Sequence, residues 1–227
     1  MPIVVAFVSQ KGGVGKSTLA RALASVAAHG GLKVVLADLD PHQQTLVQWQ
    51  RARKANKVSS KIAVAAFDRV EDAVAAAARA DLLVLDTPGQ INRSTLDIAR
   101  HAHLVVQPSG ASADDLHPTV LVFHELVGAG IPKSRQVAAL CRLLTEDEEE
   151  AARLYIEEAG YEVLPGSIPE SASYRLAQNR GQSLTQTVDK SLNKRADALM
   201  EALLVKVATL MESAGESARR KSKGDAA

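Results

Sequence analysis

Cysteine and aromatic residues are scarce in this 227-residue sequence, and each scarcity excludes a class of protein. A single cysteine, Cys141, cannot form an internal disulfide, which excludes a small disulfide-stabilised secreted domain. The six histidines show no ligand spacing with acids or with the cysteine, so they predict no metal centre. Because aromatics make up only 3% of the residues, the core has to be built from alanine, valine and leucine.

Two further absences bear on where the protein works. No apolar run approaches the roughly 18 residues of a transmembrane helix, and no secretory leader is recognisable before the first apolar run. We therefore expect a cytoplasmic protein. Lysine and arginine number 27 against 26 acidic residues, so the net charge argues against a uniformly basic nucleic-acid binder. A local basic patch is still compatible with this balance.

What the sequence does contain is a regular alternation of short aliphatic runs and helical patterns. The aliphatic runs predict buried strands over 3–8, 34–39, 62–66, 82–85, 104–107 and 137–143. The helical patterns predict helices over 17–29, 44–54, 70–80, 95–102, 113–128, 146–159 and 190–213. This order predicts an α/β fold, a single domain with a twisted, mostly parallel sheet flanked by helices on both faces. We expect the domain to span 1–213 and the basic segment 214–227, which has no core residues, to be a disordered tail.

The most specific motif lies between the first predicted strand and the first predicted helix, where residues 11–18 read KGGVGKST. Glycines here allow a tight turn whose backbone N–H groups face inward at a helix N-terminus, an arrangement that binds phosphate. Lys16 is predicted to reach the β- and γ-phosphates, and the Ser17 hydroxyl to bind Mg²⁺. The general pattern has a glycine where Gln10 stands, so this loop is a variant with two lysines. The predicted nucleotide contacts are Lys11, Gly12, Gly13, Val14, Gly15, Lys16, Ser17 and Thr18.

Carboxylates end two further predicted strands. Asp38 and Asp40 are separated by one residue, so in strand geometry both side chains leave the same face and point toward the phosphate loop. One of them can hold Mg²⁺ through water while the other orients the attacking water. Asp86 ends another apolar strand and fits a second Mg²⁺-linked carboxylate. The Thr-Pro-Gly turn at 87–89 would then lie near the γ-phosphate.

Together these motifs resemble the ParA/MinD group of ATPases with the deviant Walker A motif, and most closely the small ParA proteins that partition plasmids and chromosomes. The resemblance rests on residues 11–18, on Asp38-Leu39-Asp40-Pro41 and on residues 82–89, with looser likeness at 106–109 and 181–183. It implies the P-loop NTPase fold, ATP and Mg²⁺ as cofactors, and Mg²⁺-dependent hydrolysis of ATP.

The resemblance also implies roles for individual residues. Lys11 would be the signature lysine, which crosses an ATP-sandwich homodimer to touch the partner's nucleotide. A cation too far back to serve its own γ-phosphate can neutralise charge across such an interface. Asp40 would orient the attacking water, while Asp38 and Asp86 would act through the waters of the metal.

For the adenine base, the resemblance implies contacts late in the chain. Many relatives have Asn-Arg at the end of a late core strand, where this chain has Cys141 and Arg142. The segment 166–170 resembles the loop that packs beside the base in that family. Arg142, Ile168 and Pro169 are therefore the implied base contacts, and Cys141 is predicted to be a buried structural thiol.

Partition ATPases of this kind bind DNA non-specifically through basic residues that dimerisation joins into one patch, and a centromere-binding partner of the ParB type stimulates hydrolysis. The resemblance implies the same partners here, with nucleoid association in the cytoplasm. Phosphate contact requires positive charge on a suitable surface. The candidate DNA contacts are Arg175, Arg180, Lys190, Lys194 and Arg195.

Other members of the group offer alternative functions. A MinD-like membrane-cycling ATPase needs a cationic amphipathic end, but 214–227 has cations and no leucine, phenylalanine or tryptophan, so no stable membrane association is expected. An electron-transfer ATPase resembling the nitrogenase iron protein would need two cysteines per chain and is excluded. A ParA-like protein that positions non-DNA cargo, or a VirC-like accessory of DNA transfer, would have the same ATP chemistry with a different partner.

Overall fold

A computed structural model of the chain describes residues 1–40, 43–58, 61–89 and 93–224. Within these residues it contains a seven-stranded sheet in which every strand pair is parallel. The strands are β1 (Ile3–Phe7), β2 (Val34–Asp38), β3 (Ile62–Ala66), β4 (Leu82–Asp86), β5 (Leu104–Ser109), β6 (Gln136–Leu143) and β7 (Glu162–Pro169). The helices are α1 (Lys16–His29), α2 (Thr45–Ala55), α3 (Val70–Ala76), α4 (Arg93–His101), α5 (Ala113–Gly128), α6 (Glu146–Glu158), α7 (Ala172–Asn179) and α8 (Lys190–Gly224).

The strand order β3-β2-β4-β1-β5-β6-β7 places β1 in the middle of the sheet. Strands β1 and β4 are buried at every position, which is why they read as continuous aliphatic runs and not as alternating ones. One apolar layer joins the sheet to α1, α2 and α8, and a second joins its other face to α3, α4 and α5. Helices therefore cover both faces, and the predicted fold class is confirmed, with a wholly parallel sheet among the described strands.

The strand directions bring the predicted acidic residues to one edge of the sheet. Because all the strands are parallel, their carboxyl ends lie together, which is where ligands bind in folds of this kind. Asp38 and Asp86 are direct register partners on the neighbouring strands β2 and β4. On the other side of β4, Asp86 pairs with Phe7, the last residue of β1 before the glycine loop. The loop and the two acids thus share one edge.

Strand β7 and helix α7 fall outside the predictions from sequence. β7 contains Pro165 and Gly166, residues that usually mark a turn and argue against a strand. The strand lies at the edge of the sheet, with β6 on one side only, where a missing N–H is tolerated. Residues 164–166 also fall between paired positions, where the register with β6 shifts. Ile168 and Pro169, predicted to lie in a loop, therefore end a strand.

The last helix is longer than predicted, since α8 continues beyond Ser213. The added segment contains alanine, glutamate, arginine and lysine, which are good helix formers. Leu199, Leu203 and Val207 are buried in the layer that α8 shares with β7 and α1. The division of the chain at residue 213 stays a prediction, and 225–227 lie outside the described residues.

Candidate functional site

The loop between β1 and α1 has the backbone geometry that its glycines predict. Gly13 and Gly15 have φ angles of 77° and 116°, in a region that residues with a side chain rarely adopt. Gly15 directly precedes α1, so the unpaired backbone N–H groups of the first helical turn face the loop. Gly89, after β4, approaches so closely that a Cβ atom on it would lie 3.3 Å from the Gly12 Cα atom. The loop is a backbone-lined cradle suited to phosphate.

Lys16 is the cation inside this cradle. It is 7% exposed, and its Nζ atom donates to the carbonyl oxygen of Lys11 at 3.1 Å. Burial lowers the pKa of Lys16, while the carboxylates of Asp86 and Asp40 oppose that shift. A buried ammonium binds a charged phosphate oxygen more strongly than it binds a neutral carbonyl oxygen, so a phosphate could replace the Lys11 carbonyl as its partner. This environment fits the role predicted for Lys16 at the β- and γ-phosphates.

Asp86 and Ser17 form the pair that would hold a metal ion. Asp86 is 3% exposed at the end of β4, and the Ser17 side chain hydrogen-bonds to it. Burial raises the pKa of Asp86 to about 7, against the opposing effect of the Ser17 bond. The Oδ1 atom of Asp86 is buried without a hydrogen-bond partner. An orphaned carboxylate oxygen beside a hydroxyl fits a hard cation such as Mg²⁺.

Such a metal ion would depend on the nucleotide for its other ligands. Over the described ranges, no group of three or more histidine, cysteine or acidic side chains is placed to hold a metal ion. Mg²⁺ typically binds one or two protein oxygens, keeps several waters and takes further oxygens from substrate phosphates. The donor set at Ser17 and Asp86 therefore suits Mg²⁺ bound together with a phosphate chain.

The two acids after β2 have different environments. Asp38 is fully buried, and its carboxylate accepts from the backbone N–H groups of Leu46 at 2.8 Å and Asp40 at 3.2 Å. Burial raises the pKa of Asp38, and these N–H groups oppose the rise. Asp38 thus also fixes the start of α2 against β2. Asp40 is half-buried and accepts from the Gln43 backbone N–H at 3.0 Å, while residues 41 and 42 of the same motif lie outside the described residues.

Lys11 points away from its own phosphate loop. Its Nζ atom lies 2.7 Å from Oδ1 of Asp115 and 3.3 Å from the carbonyl oxygen of Asp114, in the first turn of α5. The Lys11 side chain is 46% exposed and the Asp115 side chain 14%. Although desolvation opposes the shift, hydrogen bonds from Lys11 and Ser112 lower the pKa of Asp115. Within a single chain, Lys11, the lysine that the resemblance expects to cross a dimer, therefore forms an ion pair with Asp115 on α5.

Arg142 reaches the phosphate loop through a strained backbone. Its φ angle is 62°, and the pairing of β6 with β7 shifts register at this point, between Cys141 and Leu143. The Nη1 atom of Arg142 donates to the carbonyl oxygen of Gly13 at 3.3 Å, and its Nε atom lies 3.4 Å from Glu170. Strain of this kind persists where the surrounding structure enforces it, commonly at a binding site.

A cavity of about 390 Å³ opens beside Arg142 and the phosphate loop. Its volume is typical of a small-ligand site. All three base contacts that the resemblance implies, Arg142, Ile168 and Pro169, lie in its wall. The lining residues are Gly13, Gly15, Thr18, Cys141, Arg142, Ile168, Pro169, Glu170, Ser171, Tyr174, Arg175, Gln178 and Leu184.

Several of these residues were missed from the sequence because α7 was missed. Tyr174 and Gln178 lie on α7. One signal was available, since Ser171 precedes the helix and its hydroxyl accepts from the Ser173 backbone N–H as an N-cap. A serine before an apolar helical pattern indicates a helix start even in a short segment.

Cys141 packs beneath the cavity, and its reactivity gives a direct test of this packing. It is 3% exposed, its Sγ atom would lie 3.5 Å from a Cβ atom on Gly15, and burial raises its pKa to about 12. Since the thiolate is the reactive form, the folded chain at about pH 8 should react with Ellman's reagent at least about a hundredfold more slowly than the urea-unfolded chain. The chain has one cysteine, so the released chromophore reports on it alone. Equal rates would contradict a buried thiol.

Two of the predicted DNA contacts pair with acids inside the chain. Arg175 forms an ion pair with Glu170 in the wall of the cavity. Arg195 donates to the Ser167 hydroxyl at 3.0 Å and lies 3.5 Å from Glu149, which ties α8 to β7 and α6. Part of the charge of both arginines is therefore already neutralised.

The other three candidates are exposed. Arg180 follows α7, and Lys190 and Lys194 lie in the first turns of α8. In the part of the chain that the structure describes, none of the three forms an ion pair. These three residues therefore carry positive charge that no ion pair offsets and that could contact a phosphate backbone.

Comparison with known proteins gives this arrangement a family context. The family described as CobQ/CobB/MinD/ParA nucleotide binding domain matches residues 5–184, which include the phosphate loop and all three acids. None of the curated proteins compared with the sequence matches it. The solved structures that share the fold include apo McdA from Cyanothece, with 18% identity, a TM-score of 0.70, and coverage of 89% of this chain and 100% of that chain.

Two more solved structures extend this comparison. MinD from Pyrococcus horikoshii OT3, complexed with Mg-ADP, has 17% identity and a TM-score of 0.70 and covers 93% of this chain and 99% of its own. A ParA-family ATPase from Chlorobium tepidum TLS has 17% identity and a TM-score of 0.66, covering 89% and 99%. At these identities the likeness establishes the fold.

In the described part of the chain, no helix combines the length and the apolar character needed to cross a bilayer.

Proposed function

The chain belongs to the family of CobQ/CobB/MinD/ParA nucleotide-binding domains, and we propose that it is a Mg²⁺-dependent ATPase of the ParA type, acting as a nucleotide-controlled switch. One observation carries the proposal. At a single edge of the sheet, the buried Lys16, the Ser17–Asp86 pair and Asp40 lie with the glycine cradle, and Gly13 and Gly15 of that cradle also line a 390 Å³ cavity. These groups supply binding for a triphosphate, for its metal ion and for an attacking water.

Each group has a step in hydrolysis. Lys16 and the backbone N–H groups of the loop bind the phosphates and stabilise the charge that develops on the transferred phosphoryl group. Ser17 would hold Mg²⁺ directly, the ion would neutralise phosphate charge when bound, and Asp86 and Asp38 would act through its waters. Asp40, half-buried at the mouth of the site, accepts a hydrogen bond from the attacking water and orients it toward the γ-phosphate.

We propose that ATP drives a homodimer in which Lys11 of each chain contacts the nucleotide of its partner. Lys11 is half-exposed and is held by an acid that a phosphate can replace. ATP favours the dimer because each nucleotide then provides contacts that the single chain lacks. Hydrolysis removes those contacts and returns the chain to the monomer.

We propose that the dimer binds DNA without sequence specificity. Arg180, Lys190 and Lys194 supply exposed positive charge, and a dimer would present two such sets together. DNA binding would place the protein on the nucleoid in the cytoplasm. A centromere-binding partner of the ParB type would stimulate hydrolysis and so release the protein from the DNA. Arg175 and Arg195 would contribute less, because each already faces a carboxylate.

DNA retention with ATP against ADP tests the switch. On immobilised random-sequence duplex, we expect retention with Mg-ATP and little with Mg-ADP. Asp40→Ala should bind ATP but hydrolyse it poorly, and should therefore remain on DNA longer. Equal retention with both nucleotides would contradict the switch, and turnover without any retention would indicate a positioning ATPase for non-DNA cargo.

A triple alanine substitution of Arg180, Lys190 and Lys194 tests the surface. It should weaken DNA binding at least about tenfold and flatten its salt dependence, because fewer counterions are released. ATP turnover should be unchanged. The matched control is the triple alanine substitution of Arg51, Lys54 and Lys57, which removes the same charge from exposed positions in and just after α2. If both triple variants bind DNA equally, the surface is elsewhere.

A further inference from the structure

A second cavity, of about 570 Å³, lies between α1, α2 and α7 and has no role in the proposed hydrolysis. Thr18, Arg175 and Gln178 line both this cavity and the nucleotide cavity, so these side chains form the partition between the two. The volume is within the range of pockets that bind small molecules. The chemistry of its wall indicates what it would bind.

Arg21, in the second turn of α1, is the buried cation of this wall. It is 7% exposed. Its Nη1 atom donates to Oε1 of Gln178 at 2.9 Å and its Nη2 atom to the carbonyl oxygen of Thr45 at 3.0 Å. Its Nε atom is buried with no hydrogen-bond partner. A guanidinium has five N–H donors, and both acceptors found here are neutral. Arg21 therefore retains unused donors, and the groups that contact its charge are neutral: these two acceptors and the Trp49 ring, whose centroid lies 5.8 Å from the Arg21 Cζ atom.

The acids that influence Arg21 do so from a distance. Burial lowers the pKa of Arg21, and Asp86 and Asp38 oppose that shift. Across the described residues, Arg21 takes part in none of the ion pairs. The cavity lining contains no acid, and its second cation, Arg175, is already paired with Glu170 outside the lining. A buried charge without a contacting counter-ion is costly, and a metal ion at Asp86 would reduce even the distant compensation.

We propose that this cavity binds a carboxylate, held by the remaining Nη N–H groups of Arg21, with Arg175, whose charge Glu170 partly offsets, at the rim. The planar, two-oxygen carboxylate matches the fork of a guanidinium. The amide side chains of Gln48 and Asn179 also line the cavity and can bond to the polar remainder of the ligand. The proposal is independent of the DNA function proposed above.

Binding here would affect the nucleotide site through one shared acceptor. Thr18 Oγ1 and Arg21 Nη1 both donate to Oε1 of Gln178, at 3.1 and 2.9 Å. Thr18 adjoins Ser17 in the phosphate loop, and Gln178 lines the nucleotide cavity. A carboxylate on the remaining Nη donors of Arg21 would compete with Oε1 of Gln178 for the guanidinium. By linkage, Mg-ATP would then change the carboxylate affinity by the same factor that the carboxylate changes the ATP affinity.

Trp49, the chain's one tryptophan, lines the cavity and provides the readout. With Mg-ADP present to occupy the phosphate loop, we would titrate the protein with succinate and, separately, with an end-blocked tetraglutamate peptide, against sodium chloride at matched ionic strength. We expect a saturable change in Trp49 fluorescence. Gln48→Glu places the chain's own carboxylate in the cavity and should weaken binding at least about tenfold.

The matched control is Asn56→Asp, which makes the same charge change on an exposed residue just after α2, outside the cavity. It should bind as the unmodified protein does, and thermal unfolding of Gln48→Glu will show whether this variant is folded. Saturation by succinate supports a free organic acid as the ligand, and saturation by the peptide alone supports an acidic side chain of a polypeptide. No saturable change with either probe, or equal affinity for Gln48→Glu and the unmodified protein, overturns the proposal.

Discussion

Replacing Lys16 with alanine should weaken Mg-ATP binding by roughly two to three orders of magnitude. Lys16 is buried, and its ammonium is the cation inside the cradle that the glycine loop forms. Without it, the phosphates would have to leave water for a site lined by neutral N–H groups and by the carboxylates of Asp86 and Asp40. The affinity can be measured by isothermal titration calorimetry at one fixed salt concentration.

The control for Lys16→Ala is Lys33→Ala, which removes an exposed lysine at the opposite edge of the sheet, just before β2. Its ATP affinity should equal that of the unmodified chain. Thermal unfolding of both variants will show whether they are folded. An affinity of Lys16→Ala within a few-fold of the unmodified chain would contradict the assignment of the cradle.

The phosphate loop could be predicted from the sequence because its determinants are local. Gly13 and Gly15 need positive φ angles, and the strand before and the helix after the loop are each encoded by a single short pattern. Asp38 and Asp86 could be placed at the same edge because parallel strands align their carboxyl ends, and the two residues are in fact register partners.

The rest of the site depends on contacts between distant parts of the chain. Gln178 meets Thr18 across 160 positions, and Lys11 meets Asp115 across 104. Nothing in either local sequence specifies such a partner. The same limit applies to the DNA candidates, since sequence gives the charge of Arg195 but not the nearby carboxylate that offsets it. An edge strand with proline and glycine likewise reads as a turn until its place in the sheet is known.

The largest effect on assembly is expected from Lys11→Ala. In the single chain, Lys11 contacts Asp115 and the Asp114 carbonyl oxygen, so its removal takes no cation from the chain's own cradle. ATP affinity of the monomer should stay within a few-fold of normal. In the proposed dimer, however, both nucleotides lose a charged contact, and dimerisation with a non-hydrolysable ATP analogue should weaken at least about a hundredfold. Sedimentation equilibrium measures both the state and the constant, and undiminished dimers would contradict the role of Lys11.

The substitution Asp115→Asn tests whether Lys11 exchanges between Asp115 in the single chain and the partner's nucleotide in the dimer. If Asp115 competes with the partner's phosphates, neutralising it should strengthen the ATP-dependent dimer. The gain should be modest, up to about fivefold, because a half-exposed ion pair contributes about 1 kcal/mol or less. Asp114→Asn is the matched control, since Lys11 contacts only the backbone of Asp114 and dimerisation should not change. Were Asp115→Asn to weaken the dimer as Lys11→Ala does, Asp115 would support the interface and the proposed competition would be wrong.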